Sequence, residues 1–304
     1  MAARFLFHPS GIVFDVSAFP EHLTGFRSAV PRYSAIISDV WGVLHNGLTA
    51  NPGAPEALRN AREAGLPVVL LTNAPRPPDS IRKQLRGFGV PDDCYDAIVS
   101  SGGVTRALIE AEGDAPFNHI GPARDVSIYR GLAARPASLE EARYILCTGL
   151  VDDETETAED YRERLAEGVK RGLKLYCANP DLIVERGKDL IPCAGALAEL
   201  YEHMGGEAIW VGKPHRLVYD HARDHIARIA GQMPEASRIL CIGDAFRTDI
   251  AGAIANGHDS LMTLAGIHAH QIHLDGNDFD REAFGRLADL NNARPTMTMA
   301  SLVW

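Results

Sequence analysis

Residues 35–39 read AIISD, a short apolar run that ends in an acid. Such a run is typical of a buried strand, and residues 55–64 (PEALRNAREA) follow it as a helix that stops at Gly65. Residues 67–71 (PVVLL) form the next predicted strand, which runs into the proline-rich loop 72–78 (TNAPRPP). A strand, a helix and a second strand in this order predict a βαβ unit and a parallel sheet.

The same unit recurs near the end of the chain. Residues 209–211 (IWV) lead into a helix predicted over 217–229, and residues 238–242 (RILCI) form a strand followed by Gly-Asp. This repeated rhythm predicts an α/β fold with a doubly wound, Rossmann-like core built on a parallel sheet.

The middle of the chain has a pattern of its own. It contains predicted strands at 144–147 and 174–177 and a helix over about 157–171, which indicates an inserted α/β domain. The predicted core is discontinuous and comprises residues 1–114 and 207–304. Its first 31 residues form an N-terminal extension of unknown role. Residues 115–206 form the predicted inserted cap domain.

The bulk composition disfavours several classes of protein. With 304 residues, 46% hydrophobic and 23% charged, the chain can bury a large core. A formal net charge of -10 with scattered Lys and Arg argues against nucleic acid as a partner. No apolar stretch approaches the roughly 20 residues of a membrane span. Five widely spaced cysteines are typical of reduced thiols in a cytoplasmic protein. The oligomeric state is left open, and a homo-oligomer is one option.

Polar side chains follow the apolar runs at several points. Asp39, Thr72, Lys213 and Asp244 all lie at or just after the ends of strand-like segments. In open α/β sheets ligands bind at the carboxyl ends of strands, so we expect these groups to converge. Carboxylates bind Mg²⁺, and the metal and a lysine neutralise a phosphate that an aspartate nucleophile would otherwise repel. The set therefore predicts a metal-assisted phosphoryl site.

Five short motifs occur in an order that resembles the haloacid dehalogenase (HAD) superfamily, specifically its class IIA branch of sugar-phosphate and nucleotide monophosphatases. The motifs are ISDVWGVL at 37–44, LTN at 71–73, ANPD at 178–181 with PCAGA at 192–196, GKP at 212–214 and GDAFRTD at 243–249. The resemblance covers the chain from about Tyr33 to His268. It implies a HAD-like core with an inserted C2-type cap, and a hydrolase of the phosphoric monoester type.

Carried over by position, the resemblance implies a role for each of nine residues. Asp39 would be the nucleophile, Thr72 would hydrogen-bond the phosphoryl oxygens, and Lys213 would pair with Asp39 and the phosphate. The implied Mg²⁺ ligands are Asp39, the Trp41 carbonyl, Asp244 and Asp249. The implied substrate-binding residues are Asn73, Asn179 and Asp181. Together they predict a Mg²⁺-dependent phosphatase or phosphotransferase that acts on a small phosphorylated metabolite through an aspartyl-phosphate.

Trp41 departs from the family pattern. The family's phosphatases have a second aspartate at this position, which protonates the leaving group and activates water. An indole cannot exchange a proton in that role, and general acid–base catalysis contributes about 10²–10⁴-fold in rate. We therefore expect weak activity on alkyl esters. The alternative is a catalytically weak or inactive homologue that binds a phosphoryl ligand.

Several histidines have alternative interpretations. His45 or His215 could replace the missing acid–base group, although a nearby histidine is more often structural. The histidines at 268, 270 and 273 resemble metal-ligand spacing, but a polar loop is the better interpretation.

Overall fold

The computed structural model describes residues 19–186 and 189–304, together with two short N-terminal strands, Phe5–Phe7 and Val13–Asp15. For residues 185–186 and 189–190 it describes the backbone alone. Part of the N-terminal extension that was predicted over residues 1–31 therefore lies outside the described residues.

Strands and helices alternate along the described chain. In chain order the strands are β1 (Phe5–Phe7), β2 (Val13–Asp15), β3 (Glu21–Leu23), β4 (Ala35–Ser38), β5 (Val68–Thr72), β6 (Ala97–Ser100), β7 (Phe117–Ile120), β8 (Tyr144–Cys147), β9 (Lys174–Cys177), β10 (Ile183–Arg186), β11 (Asp189–Pro192), β12 (Glu207–Trp210), β13 (Ile239–Gly243), β14 (Asp259–Thr263) and β15 (Met297–Met299). The α-helices are α1 (Ala54–Glu63), α2 (Pro78–Gly87), α3 (Ser101–Ala111), α4 (Arg162–Lys170), α5 (Ala194–His203), α6 (Arg216–Ala230), α7 (Ala251–Ala255) and α8 (Arg281–Leu290). A π-helical turn, Phe246–Ile250, leads into α7.

The larger sheet has seven parallel strands in the order β3-β15-β14-β13-β4-β5-β6. Successive strand residues point to opposite faces, so Ile36 and Ile37 pack into separate hydrophobic clusters, as do Leu70 and Leu71. Helices α1 and α2 contribute to one cluster and α6 to the other. Burial on both faces explains why these strands are continuous apolar runs, and it confirms the predicted doubly wound α/β core.

The smaller sheet has four parallel strands in the order β12-β9-β8-β7. Helices α4 and α5 pack on it, where Leu165 and Tyr201 join a cluster with Ile145. Strand β12 belongs here because it pairs in register with β9. The expectation that the core resumes at residue 207 is therefore corrected, since the last strand of the smaller sheet ends at Trp210. The sequence shows an apolar run at this point but not which strand it bonds to.

The N-terminal extension contributes to the larger sheet. Strand β3 pairs in parallel with β15 at the edge. Phe26 is fully buried, its ring centroid lies 6.4 Å from that of Trp304, and its backbone N–H donates to the Val303 carbonyl at 2.8 Å. Strand β3 and the residues that follow it therefore complete one edge of the core, whereas β1 and β2 pair with each other in a separate two-stranded sheet.

The state of the cysteines and the character of the helices can be compared with the expectations from composition. All five cysteines are buried thiols. Within the described residues, no helix has both the length and the apolar character that a membrane span requires.

Candidate active site

Three predicted site residues lie side by side at the carboxyl edge of the larger sheet. Asp39 directly follows β4, Asp244 directly follows β13, and Thr72 is the last residue of β5. These strands are neighbours in the order β13-β4-β5, and Ser38 pairs with Ile242 on one side and with a β5 residue on the other. The register therefore brings the three side chains to one rim of the sheet.

Lys213 reaches the same rim from the segment that leaves the smaller sheet. It lies between β12 and α6, so it reaches the acids from a strand of the smaller sheet, whereas the other three groups follow strands of the larger sheet. Its Nζ lies 2.5 Å from Asp39 Oδ1 and 2.6 Å from Asp249 Oδ1. The lysine side chain is only 5% exposed and its partners 9% and 5%. Lys213 is thus a buried cation between two buried carboxylates.

Asp39, Asp244 and Asp249 form a compact acidic group. Each offers a carboxylate oxygen, and these oxygens lie within 4.8 Å of one another. The Ile267 N–H donates to Asp244 Oδ2 at 2.9 Å, and the Ala245 N–H donates to Asp249 Oδ2 at 3.1 Å. These backbone bonds hold the two carboxylates in fixed orientations.

Two glycines permit this close packing. A Cβ at Gly42 would lie 2.0 Å from Asp244 Oδ2, and a Cβ at Gly266 would lie 2.1 Å from the same oxygen. Gly42 also has a φ of +79°, which other residues rarely adopt. The sequence alone did not predict a role for either glycine. The available signal was a glycine just beyond a strand end, since Gly42 follows β4 and Gly266 follows β14, the neighbour of β13.

Burial and crowding raise the proton affinity of the acids. Burial, and then the charge of Asp249, raise the pKa of Asp39 well above its usual value. The same two causes raise the pKa of Asp244 to about 7. Burial opposes the charge of Lys213, but Asp249 and Asp39 more than offset it and raise the pKa of the ammonium. One ammonium does not balance three carboxylates, and a further cation would relieve the excess negative charge.

The donor set fits a hard divalent cation. Carboxylate oxygens are the ligands that Mg²⁺ prefers. A bound cation would lower the raised pKa values of Asp39 and Asp244, because it stabilises their ionised forms. In the part of the chain that the structure describes, the acids, histidines and cysteines close enough to share one ion are Asp39, Asp244 and Asp249. The Trp41 carbonyl as a fourth ligand stays a prediction.

The Trp41 ring packs against its own loop. A Cβ at Gly47 would lie 2.8 Å from the indole, and the Trp41 and His45 rings meet edge to face with centroids 5.1 Å apart. The Gly47 N–H donates to His45 Nδ1 at 2.9 Å, so the neutral ring carries its proton on Nε2. Burial, and then Arg76, lower the pKa of His45 to about 4. His45 is therefore neutral at pH 7 with its basic nitrogen occupied, which does not suit a general acid or base.

The other candidate histidines do not belong to the acidic group. His215 stacks on Trp210 with centroids 5.7 Å apart, and burial lowers its pKa while Glu202 acts in the opposite direction. Residues 268–273 form turns after β14, as predicted. The group of described residues that could share a metal ion includes no histidine.

The remaining predicted residues are interconnected. The Ala74 N–H donates to Thr72 Oγ1 at 3.3 Å, which leaves the hydroxyl proton for another acceptor. Asn179 Oδ1 accepts from the Asp181 N–H at 3.1 Å within its own loop. Asn73 Nδ2 donates to Asp181 Oδ1 at 2.9 Å, and burial raises the pKa of Asp181. Substrate contacts by Asn179 and Asp181 stay predictions.

Comparisons with known proteins agree with this geometry. A family model of haloacid dehalogenase-like hydrolases matches residues 36–133, and a HAD-hydrolase-like model matches residues 210–293. The crystal structure of a haloacid dehalogenase-like hydrolase from Brucella suis 1330 is 43% identical, with a TM-score of 0.81, over 94% of this chain and 100% of that one. This chain belongs to the haloacid dehalogenase-like family of hydrolases.

More distant relatives of this HAD-like hydrolase have specific names. The 5'-nucleotidase YutF of Bacillus subtilis (strain 168) is 23% identical over 261 residues, which is 84% of this chain and 97% of that protein. The ribonucleotide monophosphatase NagD of Escherichia coli (strain K12) is 27% identical over 241 residues, which is 76% of this chain and 88% of that protein. The family and the hydrolase class predicted from the motifs are therefore confirmed.

Proposed function

We propose that this HAD-like hydrolase is a Mg²⁺-dependent phosphatase or phosphotransferase that acts on a small phosphorylated metabolite. The observation that carries the proposal is the buried group in which Lys213 Nζ lies 2.5 Å from Asp39 Oδ1 and carboxylate oxygens of Asp39, Asp244 and Asp249 lie within 4.8 Å of one another. This arrangement suits a phosphoryl group held beside a nucleophilic carboxylate. The names of the relatives, a 5'-nucleotidase and a ribonucleotide monophosphatase, agree with it.

Asp39 is the proposed nucleophile. Its Oδ1 pairs with Lys213, so the other carboxylate oxygen attacks phosphorus, the bond to the leaving group breaks, and an aspartyl-phosphate forms. Thr72 donates its hydroxyl proton to a phosphoryl oxygen, and Lys213 neutralises charge on the transferring group. Mg²⁺ held by Asp39, Asp244 and Asp249 would supply additional positive charge at the phosphoryl oxygens. Attack of water on the aspartyl-phosphate then releases phosphate and regenerates the Asp39 carboxylate.

The proposed substrates have leaving groups that depart without a protein acid. Trp41 occupies the usual acid–base position, and its ring packs on Gly47. His45 is neutral, and its Nδ1 already accepts the Gly47 N–H. An aryl phosphate, an acyl phosphate or a phosphoanhydride therefore reacts faster than an alkyl ester, by up to the roughly 10²–10⁴-fold that acid–base catalysis contributes.

Phosphate release from a panel of esters tests the proposal. The protein is assayed with Mg²⁺ or EDTA on aryl phosphates of graded leaving-group pKa, on acetyl phosphate and on glycerol phosphate. We expect Mg²⁺-dependent release that slows as the leaving-group pKa rises and is lost in Asp39→Asn. Asp79→Asn, at an acid whose side chain is 94% exposed, is the matched control and should retain activity. Activity that survives Asp39→Asn would rule out the covalent route, and equal rates on aryl and alkyl esters would contradict the leaving-group argument.

A second candidate is a binder of phosphoryl ligands with little turnover. The observation that favours it is Trp41, because the residue that would protonate a leaving group is replaced. This function predicts no phosphate release from any ester in the panel. It also predicts Mg²⁺-dependent binding of inorganic phosphate by calorimetry, which weakens in Lys213→Met.

A further inference from the structure

The side-chain amide of Asn73 makes its hydrogen bonds inside the protein. Its Oδ1 accepts from the Lys213 N–H at 2.7 Å and from Ser101 Oγ at 3.4 Å. Its Nδ2 donates to Asp181 Oδ1 at 2.9 Å and to the Lys213 carbonyl at 3.2 Å. An asparagine amide has two donor hydrogens, and both are engaged, while the single Ser101 hydroxyl hydrogen lies between Asn73 Oδ1 at 3.4 Å and the Thr72 carbonyl at 3.5 Å. Asn73 is 5% exposed, so no donor hydrogen is left for a phosphoryl oxygen of a substrate.

The orientation of this amide follows from chemistry. A backbone N–H can only donate and a backbone carbonyl can only accept, so Lys213 alone decides which end of the amide carries the oxygen. The Asp181 carboxylate then accepts the second Nδ2 hydrogen, which is consistent with the same orientation. Asn73 therefore hydrogen-bonds both backbone polar groups of Lys213, and Asp181 accepts the remaining hydrogen of the same amide. We call this set of three hydrogen bonds the clamp.

This clamp decides where the Lys213 ammonium lies. The lysine is 4% exposed, and its Nζ reaches Asp39 at 2.5 Å and Asp249 at 2.6 Å. A shift of the Lys213 backbone would disturb both ion pairs, because the side chain connects the backbone directly to them. The electrostatic effect of a catalytic cation depends on its fixed position relative to the developing charge.

We propose that Asn73 and Asp181 are positioning residues that act through Lys213, in place of the substrate contact that the motif resemblance implied for Asn73. The inference rests on the proposed phosphoryl-transfer function, because it assigns Lys213 a role in stabilising the transferring group. Asp181 acts as a hydrogen-bond acceptor in this arrangement, and its negative charge is not itself required.

Four variants test the proposal with p-nitrophenyl phosphate and Mg²⁺. Asn73→Asp removes both donors and places a carboxylate against Asp181, and we expect kcat to fall about 10- to 100-fold while KM changes less than about threefold. Asp181→Asn keeps an acceptor for Asn73 and should lower kcat less than Asn73→Asp does. The double variant Asn73→Asp with Asp181→Asn restores a donor–acceptor pair, and its kcat should be at least about fivefold higher than that of Asn73→Asp alone. Asn291→Asp, at an amide that donates to the Leu287 carbonyl on α8, is the control for the same exchange elsewhere and should not change kcat.

Each contrary result has a separate meaning. A raised KM with unchanged kcat in Asn73→Asp would overturn the proposal in favour of a substrate contact. A loss in Asp181→Asn as deep as that in Asn73→Asp would overturn it in favour of chemistry by the Asp181 carboxyl. Absence of recovery in the double variant would show that the pair is not coupled and would also overturn it.

Two further measurements separate this inference from the proposed function. If the wild-type protein releases no phosphate, the proposed function fails, and thermal unfolding of the two single variants and the double variant still measures the Asn73–Asp181 coupling. A positive coupling then supports the clamp, and zero coupling overturns it. If Asn73→Asp does not fold, Asp181→Leu removes the acceptor alone and should lower kcat about three- to tenfold at constant KM, whereas a raised KM alone would overturn the proposal.

Discussion

Replacing Lys213 with methionine tests the charge balance of the site. Methionine keeps most of the apolar stem but removes an ammonium that lies 2.5 Å from Asp39 and 2.6 Å from Asp249. Because both carboxylates are buried, removal of their shared cation leaves uncompensated charge, which costs about 3–5 kcal/mol of unfolding free energy. The measurement is urea denaturation of wild type and Lys213→Met in EDTA, where no divalent cation can compensate.

Magnesium and an exposed lysine supply the controls for this measurement. Excess Mg²⁺ should reduce the difference between the two proteins, since a divalent cation takes over part of the neutralisation. Lys174 Nζ lies 3.2 Å from Glu207 Oε1 with a side chain that is 53% exposed, so Lys174→Met should cost less than about 1 kcal/mol. Equal losses from the two substitutions, or a difference that Mg²⁺ leaves unchanged, would refute the reasoning.

Three further substitutions have definite expected results. Trp41→Asp restores a carboxyl at the acid–base position and should raise kcat on glycerol phosphate about tenfold or more, while an aryl phosphate gains little; equal gains on both would argue against a missing proton donor. Gly42→Ala places a Cβ 2.0 Å from Asp244 Oδ2 and should weaken Mg²⁺ binding in calorimetry by about tenfold or more, so unchanged affinity would contradict the proposed metal site. The pKa of His45 is lowered from 6.5 to about 4, so the folded protein binds fewer protons than the unfolded chain, and about 3 kcal/mol of stability is lost as the pH falls through that window. His45→Gln keeps an acceptor for the Gly47 N–H, so its free energy of unfolding should fall less than that of the wild-type protein between pH 7 and pH 4. Urea denaturation at the two pH values measures this difference, and an equal fall in both proteins would count against a buried neutral His45.

Local rules explain which parts of the fold could be predicted. Strands β4, β8 and β9 have the predicted bounds because AIIS, YILC and KLYC are short, mostly apolar runs between polar or turn-forming segments. Asp39 and Asp244 stand out because each is an acid directly after such a run. Their convergence followed from the general behaviour of parallel α/β sheets, and the register of β13 with β4 confirms it.

Sheet membership depended on partners that the sequence does not reveal. The strand predicted over residues 209–211 was assigned to the core, but the observed strand β12 (Glu207–Trp210) pairs with β9, so Lys213 approaches the acids from the smaller sheet. The hydrogen-bond partners of Asn73 could not be predicted for a similar reason. An amide beside Thr72 resembles a group that faces a ligand, whereas its actual partners are Ser101, Asp181 and Lys213, which are 28, 108 and 140 residues away.

The strand order β13-β4-β5 also has a consequence for synthesis on the ribosome. Strands β4 and β5 emerge early and can pair with each other at once, but β13 is translated only after every strand of the smaller sheet. A nascent chain therefore displays the Asp39 carboxylate without the two aspartates that would share its cation. Under the proposed function, the three aspartates come together only when β13 docks against β4, so an unfinished polypeptide would lack the complete site for the metal and the phosphoryl group.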